Sequence, residues 1–170
     1  MATVYLGLGS NIERERYLVA GLDALQRLFG ELALSSVYDS VAIGFDGQPF
    51  LNMAARVSTD LSVGELHRTL RHIEFEHGRP ANATRNSARQ LDIDILTYDN
   101  LVGVIDDVEL PRGEILENAF VLGPLAELAP EEEHPVERET YQALWQAYDR
   151  ASQGLVRVGF QWRGRAISQA

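Results

Sequence analysis

The segment that most constrains the fold is Arg89-Gln90-Leu91-Asp92-Ile93-Asp94-Ile95-Leu96, in which apolar and acidic residues alternate. Successive side chains of a β-strand point to opposite faces, so its Leu and Ile residues share one face while Asp92 and Asp94 share the other. The strand rise places these two carboxylates roughly 7 Å apart at their Cβ atoms. The segment therefore predicts a strand with one buried face and one face that carries two acidic groups.

Two carboxylates at this separation are placed to bind one hard cation or a pair of them. Mg²⁺ prefers one or two carboxylates, completed by water and substrate phosphates. Arg89, just upstream, is placed to hold a phosphate oxygen. The alternative is an edge strand with a solvated acidic face, and a bare Asp-x-Asp pattern favours that alternative. The choice depends on the rest of the chain.

The charge composition limits the partners. The formal net charge is −10, which argues against nucleic acid and anionic membranes as partners, because both need a basic field. All 15 basic residues are Arg, and the absence of Lys excludes a Walker-type phosphate loop and Schiff-base chemistry. General use of Arg for Lys explains this total but not the clustering of Arg beside the acidic strand. The clustered residues, whose planar guanidinium groups suit bidentate phosphate contacts, are Arg68, Arg71, Arg79, Arg85 and Arg89.

Length and residue usage indicate one ordinary domain over residues 1–170. The chain is 45% hydrophobic and has no Cys, which excludes disulfides, thiolate nucleophiles and zinc–thiolate sites. The four His residues lie too far apart in helix phase to form a metal-binding pair, so any metal has oxygen ligands. No run approaches the roughly 18 apolar residues of a membrane span. Met1 to Thr3 lead into a strand pattern without a signal-peptide series. We expect a cytoplasmic protein that is a monomer or a weak homodimer and has no membrane partner.

Apolar periodicity and turn residues predict a β-α-β-β-α-β order. This order is the ferredoxin-like pattern of the α+β class, an antiparallel sheet with helices on one face. The predicted elements are a strand at Thr3–Leu8, a turn and N-cap at Gly9–Asn11, a helix from Tyr17 that ends at Gly30, strands at Leu32–Val41 and Phe50–Thr59, a helix from the Ser62–Glu65 capping box to near Gly78, and the acidic strand.

Beyond the acidic strand the pattern predicts a C-terminal hairpin, helix and strand. We expect the tail after Gly164 to be frayed. The predicted elements are a hairpin at Leu101–Leu110, an apolar segment at Phe120–Leu128, a helix at Tyr141–Tyr148 and a last strand at Leu155–Trp162.

Two loops are candidates for closing a cleft. Gly78–Ala88 has no apolar periodicity and is long for a compact connection, and long ordered loops are usually functional or mobile. We expect it to act as a lid that brings Arg79, Arg85 or Arg89 onto phosphates. The alternative is a surface crossover. The second loop, Gly44–Pro49, is expected near the same edge of the sheet.

Several groups of residues along the chain together resemble the hydroxymethyl-dihydropterin pyrophosphokinase family. They occur in the family's order and spacing, from Tyr5 to about Pro130. The groups are Tyr5–Asn11, Ser36–Tyr38 with Gly44, Phe50–Asn52, Ile73-Glu74 with Gly78-Arg79, Arg89–Leu96, Phe120–Leu122, Pro124-Leu125 and Ala129-Pro130. The resemblance implies a ferredoxin-like fold and transfer of pyrophosphate from ATP to the hydroxymethyl group of 6-hydroxymethyl-7,8-dihydropterin, giving AMP, in folate biosynthesis.

The resemblance also implies roles for individual residues. Asp92 and Asp94 match the ligands of two Mg²⁺ ions that bridge the ATP phosphates and the acceptor hydroxyl, and Arg79 and Arg89 match the other catalytic groups. The positions that match the nucleotide site are Glu74, Arg79, Arg85, Arg89 and Arg112. The positions that match the pterin site are Ser40, Ile43, Phe50, Asn52 and Phe120. Such transfer needs positioning and charge neutralisation, which metals and Arg provide.

The alternative to stacking on the pterin is that Phe120 packs in the core. A Phe that begins an apolar helix is equally typical of core packing.

The chain departs from the family pattern in the expected lid and after the acidic strand. Asn86 stands where the family commonly has Trp, and Ala81 and Asn82 stand where basic residues are frequent. Arg112 stands where the family has His, and it cannot titrate near neutral pH. Asn118 precedes Ala119 and Phe120 where the family has Arg. These changes leave two alternatives open: a divergent paralogue that acts on or merely binds another pterin, and a non-catalytic ferredoxin-like regulatory module.

Overall fold

The structure is a computed structural model that describes residues 1–40, 49–78, 90–149 and 154–170. No helix within these ranges is long and apolar enough to cross a membrane. The strands are β1 (Ala2–Ser10), β2 (Ala33–Leu34), β3 (Val37–Ser40), β4 (Phe50–Thr59), β5 (Asp92–Tyr98), β6 (Gly103–Ile105), β7 (Val108–Leu110), β8 (Leu155–Val158), β9 (Phe160–Trp162) and β10 (Arg165–Ser168). The helices are α1 (Arg14–Phe29), α2 (Val63–Glu76), α3 (Glu114–Glu117), α4 (Ala119–Leu128) and α5 (Tyr141–Ala147).

The main sheet has the strand order β5-β1-β4-β3-β8, and β2 pairs with β4 beside β3. β1 is central and lies antiparallel to both β4 and β5. With α1 after β1 and α2 after β4, this arrangement confirms the predicted ferredoxin-like fold. β5 ends the sheet, so the acidic strand is an edge strand. The hairpin predicted at Leu101–Leu110 is also confirmed, as β6 and β7.

Helices cover both faces of the sheet: the two helices of the ferredoxin-like pattern lie on one face, as predicted, and two further helices lie on the other. α1 and α2 pack on one face, where Val4 and Leu6 of β1 belong to the larger buried cluster. α4 and α5 pack on the other face, where Tyr5 and Leu96 join Leu122 of α4 in a second cluster. A strand that is apolar on both faces needs cover on both faces, and β1 is such a strand.

Glu127 near the end of α4 fixes this helix to the sheet. Its carboxylate accepts hydrogen bonds from the Ser36 amide (2.9 Å), the Ser36 hydroxyl (2.7 Å) and the Tyr38 hydroxyl (2.7 Å). The Ser36 amide is therefore bonded to a side chain instead of a neighbouring strand. This accounts for the separation of β2 from β3, where the sequence predicted one strand over Leu32–Val41.

The helix starts were predicted with mixed success. At α2 the Ser62 hydroxyl accepts from the Glu65 amide (3.2 Å) and the Glu65 carboxylate accepts from the Ser62 amide (2.9 Å), which confirms the capping box. The turn predicted at Gly9–Asn11 is wrong, because β1 stays paired with β4 through Ser10. The residue that precedes α1 is Glu13, in a left-handed conformation with φ 42°.

The last residues form part of the fold, and the prediction of a frayed tail is wrong. β8 joins the sheet beside β3, and β9 and β10 form a hairpin, so the predicted strand Leu155–Trp162 is two strands. Ser168 is buried; its hydroxyl accepts from the Val37 amide (2.8 Å) and donates to the Val158 carbonyl (2.6 Å). The sequence did not show this because a polar anchor has no apolar periodicity.

Replacing Ser168 should destabilise the protein although the residue is third from the C-terminus. Ser168→Ala leaves the buried Val37 amide without its acceptor, and the free energy of unfolding should fall by about 1–3 kcal/mol in urea denaturation. Gln169→Ala, at an exposed neighbouring position, is the control and should change it by less than about 0.5 kcal/mol. Equal stability of the two variants would show that the hydrogen bonds of the Ser168 hydroxyl do not stabilise the fold.

Candidate active site

A pocket lies where the ends of β1, β4 and β5 meet α3 and α4. It brings together residues that the sequence assigned separately to metal, phosphate and pterin, together with backbone of β1. The described residues that matter for its chemistry are Gly7, Gly9, Asn52, Asp92, Asp94, Arg112, Glu114 and Phe120.

The central strand contributes backbone to this pocket and almost no side-chain bulk. In the pairing of β1 with β5, Gly7 is opposite Asp94 and Gly9 is opposite Asp92. Gly9 is also opposite Asn52 of β4. A Cβ atom on Gly9 would lie 2.9 Å from the Asn52 side-chain oxygen, closer than such atoms normally approach. The glycine therefore leaves room for the Asn52 amide and gives the pocket a flat floor.

Asp92 and Asp94 are half-buried on the face of β5 that borders the pocket. Burial is the main cause that raises the pKa of Asp94, to about 7, and the negative charge of Asp92 raises it further. The acidic face of this edge strand is thus not simply solvated, in contrast to the alternative considered from sequence. A cation bound at the pair would favour the ionised form of Asp94 and so lower its pKa.

Arg112 supplies part of that charge. Its guanidinium lies 3.6 Å from the Asp94 carboxylate, and its Nε donates to Glu114 at 3.0 Å. The Arg112 amide donates to the Leu96 carbonyl (2.9 Å), which attaches this residue to β5. Glu114, at the start of α3, was missed by the sequence analysis, since a carboxylate two residues away in a four-residue helix gives no signal of its contact. Arg112 is therefore held at the acidic pair by two independent contacts.

The chemistry of this donor set suits a hard cation. Two carboxylates line the pocket, and the pKa of Asp94 is raised although the Arg112 guanidinium lies beside it. Across residues 1–40, 49–78, 90–149 and 154–170, no three His, Asp or Glu side chains are grouped closely enough to hold an ion by themselves. A cation on Asp92 and Asp94 would take its remaining ligands from water or from a phosphate, as Mg²⁺ commonly does.

Glu74, predicted on the nucleotide side, lies behind the acidic strand. It is fully buried and accepts from the Ile93 amide at 2.7 Å, and it also forms an ion pair with Arg71 at 3.0 Å. Ile93 lies between the two aspartates, so this bond fixes the backbone that carries them. Glu74 is not among the residues that line the pocket.

The predicted pterin residues that the structure describes lie on β3, β4 and α4. Asn52 and Ser40 are buried, and the Asn52 amide donates to the Ser40 hydroxyl at 2.6 Å. Phe50 is paired opposite Ser40 at the start of β4. Phe120 lines the pocket half-buried and belongs to neither of the two buried clusters. Its position suits a ligand contact better than core packing.

Several predicted residues lie outside the described residues, together with nearly all of both candidate loops. They are Ile43, Arg79, Arg85 and Arg89, with the departures from the family pattern at Ala81, Asn82 and Asn86.

Comparison with known proteins shows which family this chain resembles along most of its length. Residues 5–130 match the sequence model of the family described as 7,8-dihydro-6-hydroxymethylpterin-pyrophosphokinase. A 2-amino-4-hydroxy-6-hydroxymethyldihydropteridine pyrophosphokinase of Aquifex aeolicus is 36% identical over 141 residues, which cover 82% of this chain and 88% of the relative. The enzyme of that name from Pseudomonas aeruginosa is 38% identical over 132 residues, 75% of this chain and 81% of the relative.

Solved structures share the fold. A Plasmodium falciparum HPPK-DHPS triple mutant with pteroate superposes with a TM-score of 0.72 at 13% identity, over 98% of this chain and 48% of that one. The wild-type protein gives a TM-score of 0.68 at 14% identity, over 89% of this chain and 45% of that one. This chain thus spans less than half the length of those proteins.

Removing the Asp94 charge should stabilise the protein when no divalent cation is present. The pKa of Asp94 rises from 3.8 to about 7 on folding, so wild-type stability falls as pH rises from about 4 to about 7. Asp94→Asn escapes this loss, and its free energy of unfolding should exceed that of the wild type by on the order of 2 kcal/mol at pH 8. Near pH 4 the difference should disappear.

Urea denaturation in EDTA across this pH range measures the effect. Asp107→Asn, in the exposed turn between β6 and β7, is the matched control and should show little change at either pH. A loss of stability in Asp94→Asn that is equal at pH 4 and pH 8 would contradict the electrostatic account.

Proposed function

The chain belongs to the 7,8-dihydro-6-hydroxymethylpterin-pyrophosphokinase family, and we propose that Asp92 and Asp94 hold the Mg²⁺ ions on which its reaction depends. The protein is a pyrophosphokinase of folate biosynthesis that transfers pyrophosphate from ATP to the hydroxymethyl group of 6-hydroxymethyl-7,8-dihydropterin, giving AMP. The observation that carries the residue assignments is the pocket that joins the acidic pair to Arg112, Asn52 and Phe120. Residues 1–170 act as one pyrophosphokinase domain.

The metal proposal assigns two ions to the acidic pair. Asp92 and Asp94 would supply the protein ligands from one face of β5, and ATP phosphates and water would supply the remaining ligands. Bound Mg²⁺ would neutralise the phosphate charge and align the triphosphate for in-line displacement. A chain with a net charge of −10 has particular need of such ions, because its own field repels ATP.

The remaining catalytic task is to hold the β-phosphate and release AMP. The hydroxymethyl oxygen bonds to the β-phosphorus, the bond from this phosphorus to the α–β bridging oxygen breaks, and the hydroxyl proton is released. We assign Arg112 to phosphate oxygens at the Asp94 end of the pocket. Arg79, Arg85 and Arg89 are proposed as further phosphate ligands, with Arg79 and Arg89 as catalytic groups. Arg112 stays protonated at neutral pH, so its contribution does not depend on pH there.

The pterin is proposed to bind between the glycine floor of β1 and the Phe120 ring. Asn52 and Ser40 already bond to one another and offer polar atoms to the edge of a planar heterocycle. Phe50 and Ile43 are proposed as flanking contacts. The flat floor and an aromatic ring suit stacking, which is worth about 0.5–1.5 kcal/mol beyond area burial.

Glu74 is proposed to contribute to nucleotide binding indirectly, by fixing the backbone of β5. Because Glu74 accepts a hydrogen bond from the Ile93 amide, it holds Asp92 and Asp94 in position relative to the ATP phosphates. The location in the cytoplasm, the monomeric or weakly dimeric state and the absence of nucleic-acid partners remain predictions from composition.

Loss of a metal ligand should abolish turnover without unfolding the protein. With ATP, Mg²⁺ and 6-hydroxymethyl-7,8-dihydropterin, the wild type should release AMP, and Asp92→Asn should do so at least about a hundredfold more slowly, since removal of one group that stabilises transition-state charge costs 10²–10³. Asp99→Asn, in the turn after β5, is the control for an aspartate outside the pocket. Near wild-type release by Asp92→Asn at saturating Mg²⁺ would refute the metal assignment.

Loss of the Phe120 ring should weaken pterin binding selectively. Calorimetry with Phe120→Ala should show a pterin affinity lower by roughly 1 kcal/mol or more, whereas the affinity for a non-hydrolysable ATP analogue should be nearly unchanged. Phe75→Ala, at an exposed position on α2, controls for removal of a surface ring. Unchanged pterin affinity in a folded Phe120→Ala variant would assign this ring to packing.

A further inference from the structure

Arg14, the first residue of α1, contacts β3 and the residue that immediately precedes β4. Its two terminal nitrogens donate to the two carboxylate oxygens of Asp39 at 3.0 Å each. One of them also donates to the Pro49 carbonyl at 3.1 Å. The Arg14 and Asp39 side chains are 31% and 30% exposed, so the pair is only partly screened by water.

The positions of these partners relate Arg14 to the pocket. Asp39 immediately precedes Ser40 at the end of β3, and Pro49 immediately precedes Phe50 at the start of β4. Ser40 and Phe50 are directly paired. The Ser40 hydroxyl in turn accepts from Asn52 at 2.6 Å. Arg14 therefore holds the ends of β3 and β4 together one residue away from the groups proposed to contact the pterin.

The placement of Arg14 is unfavourable for the helix itself. A cation at the first helical position opposes the helix dipole, although Glu15 in the same turn favours it. Glu13 before it adopts a left-handed conformation, φ 42°, without a side-chain cap. Arg14 itself thus does not stabilise the helix start, and its bidentate bond to Asp39 offsets that cost. The geometry serves the strand ends rather than the helix.

We propose that Arg14 is a positioning residue for the pterin: it sets the spacing of Ser40, Phe50 and Asn52 without contacting the substrate. The inference rests on the proposed pterin pocket. Loss of Arg14 then lets the ends of β3 and β4 separate, so the polar edge offered by Ser40 and Asn52 is less preorganised. The acidic pair on β5, on the opposite side of β1, keeps its geometry.

The test compares Arg14→Met with Arg14→Lys and Arg16→Met. Met removes the charge and the hydrogen bonds while keeping an unbranched side chain; Lys keeps the charge but not the planar fork that reaches both Asp39 oxygens. Arg16 lies on the same helical turn, is paired with Glu13 and is 69% exposed, so Arg16→Met is the matched control. The measurements are pterin and ATP-analogue affinities by calorimetry, KM and kcat from AMP release, and stability in urea.

Arg14→Met should raise the Kd and the KM for the pterin about tenfold, which is the size expected for the loss of charge-assisted hydrogen bonds. Its kcat and its affinity for the ATP analogue should stay within about twofold of the wild-type values. Arg14→Lys should be intermediate and Arg16→Met unchanged. The inference is overturned if Arg14→Met binds the pterin as tightly as the wild type does. It is also overturned if the affinities for the pterin and for the ATP analogue fall together, in proportion to a loss of stability. If the wild type itself binds no pterin, the proposed function is overturned together with the inference about Arg14. If Arg14→Met does not fold, Asp39→Asn gives the same test.

Discussion

The register of β1 between β4 and β5 is the constraint on which the pocket depends. Through Gly9, one point of this central strand lies opposite Asn52 on one side and Asp92 on the other. Side chains alternate along each strand, so a slip of one residue would turn the aspartates into the core and Ile93 into the pocket. The backbone hydrogen bonds of a single strand thus bring the proposed pterin and metal groups together, and the absence of a side chain at Gly9 lets them approach.

The acidic pair conflicts with the charge of the whole chain. Folding partly buries Asp92 and Asp94 in a molecule of net charge −10, and it raises the pKa of Asp94 to about 7. One guanidinium, from Arg112, opposes this effect only in part. Such tension is common where a site is organised for a ligand rather than for stability, because the ligand brings the missing charge. The apo protein is therefore less stable than its core alone would allow.

Carboxylates also fix the elements around the pocket. Glu74 accepts from the Ile93 amide and holds β5, while Glu127 accepts from Ser36 and Tyr38 and holds α4, which carries Phe120. Asp39 receives both terminal nitrogens of Arg14 and fixes α1 to the end of β3. Each of these contacts joins parts of the chain that are distant in sequence through a charge-assisted hydrogen bond.

The sequence alone determined the order of elements, the acidic strand and the family. These properties depend on local signals: period-two alternation around Asp92, the capping box at Ser62, and motifs in a characteristic order. Only the tertiary structure decided that α4 covers the second face of the sheet and that the Ser168 hydroxyl is bonded to Val37. It also decided that Arg112 contacts Asp94 and that Arg14 contacts Asp39. Ser168 and Val37 are 131 positions apart, and Arg14 and Asp39 are 25 apart. Polar contacts over such separations have no periodicity, because chain topology and not local pattern brings their atoms together.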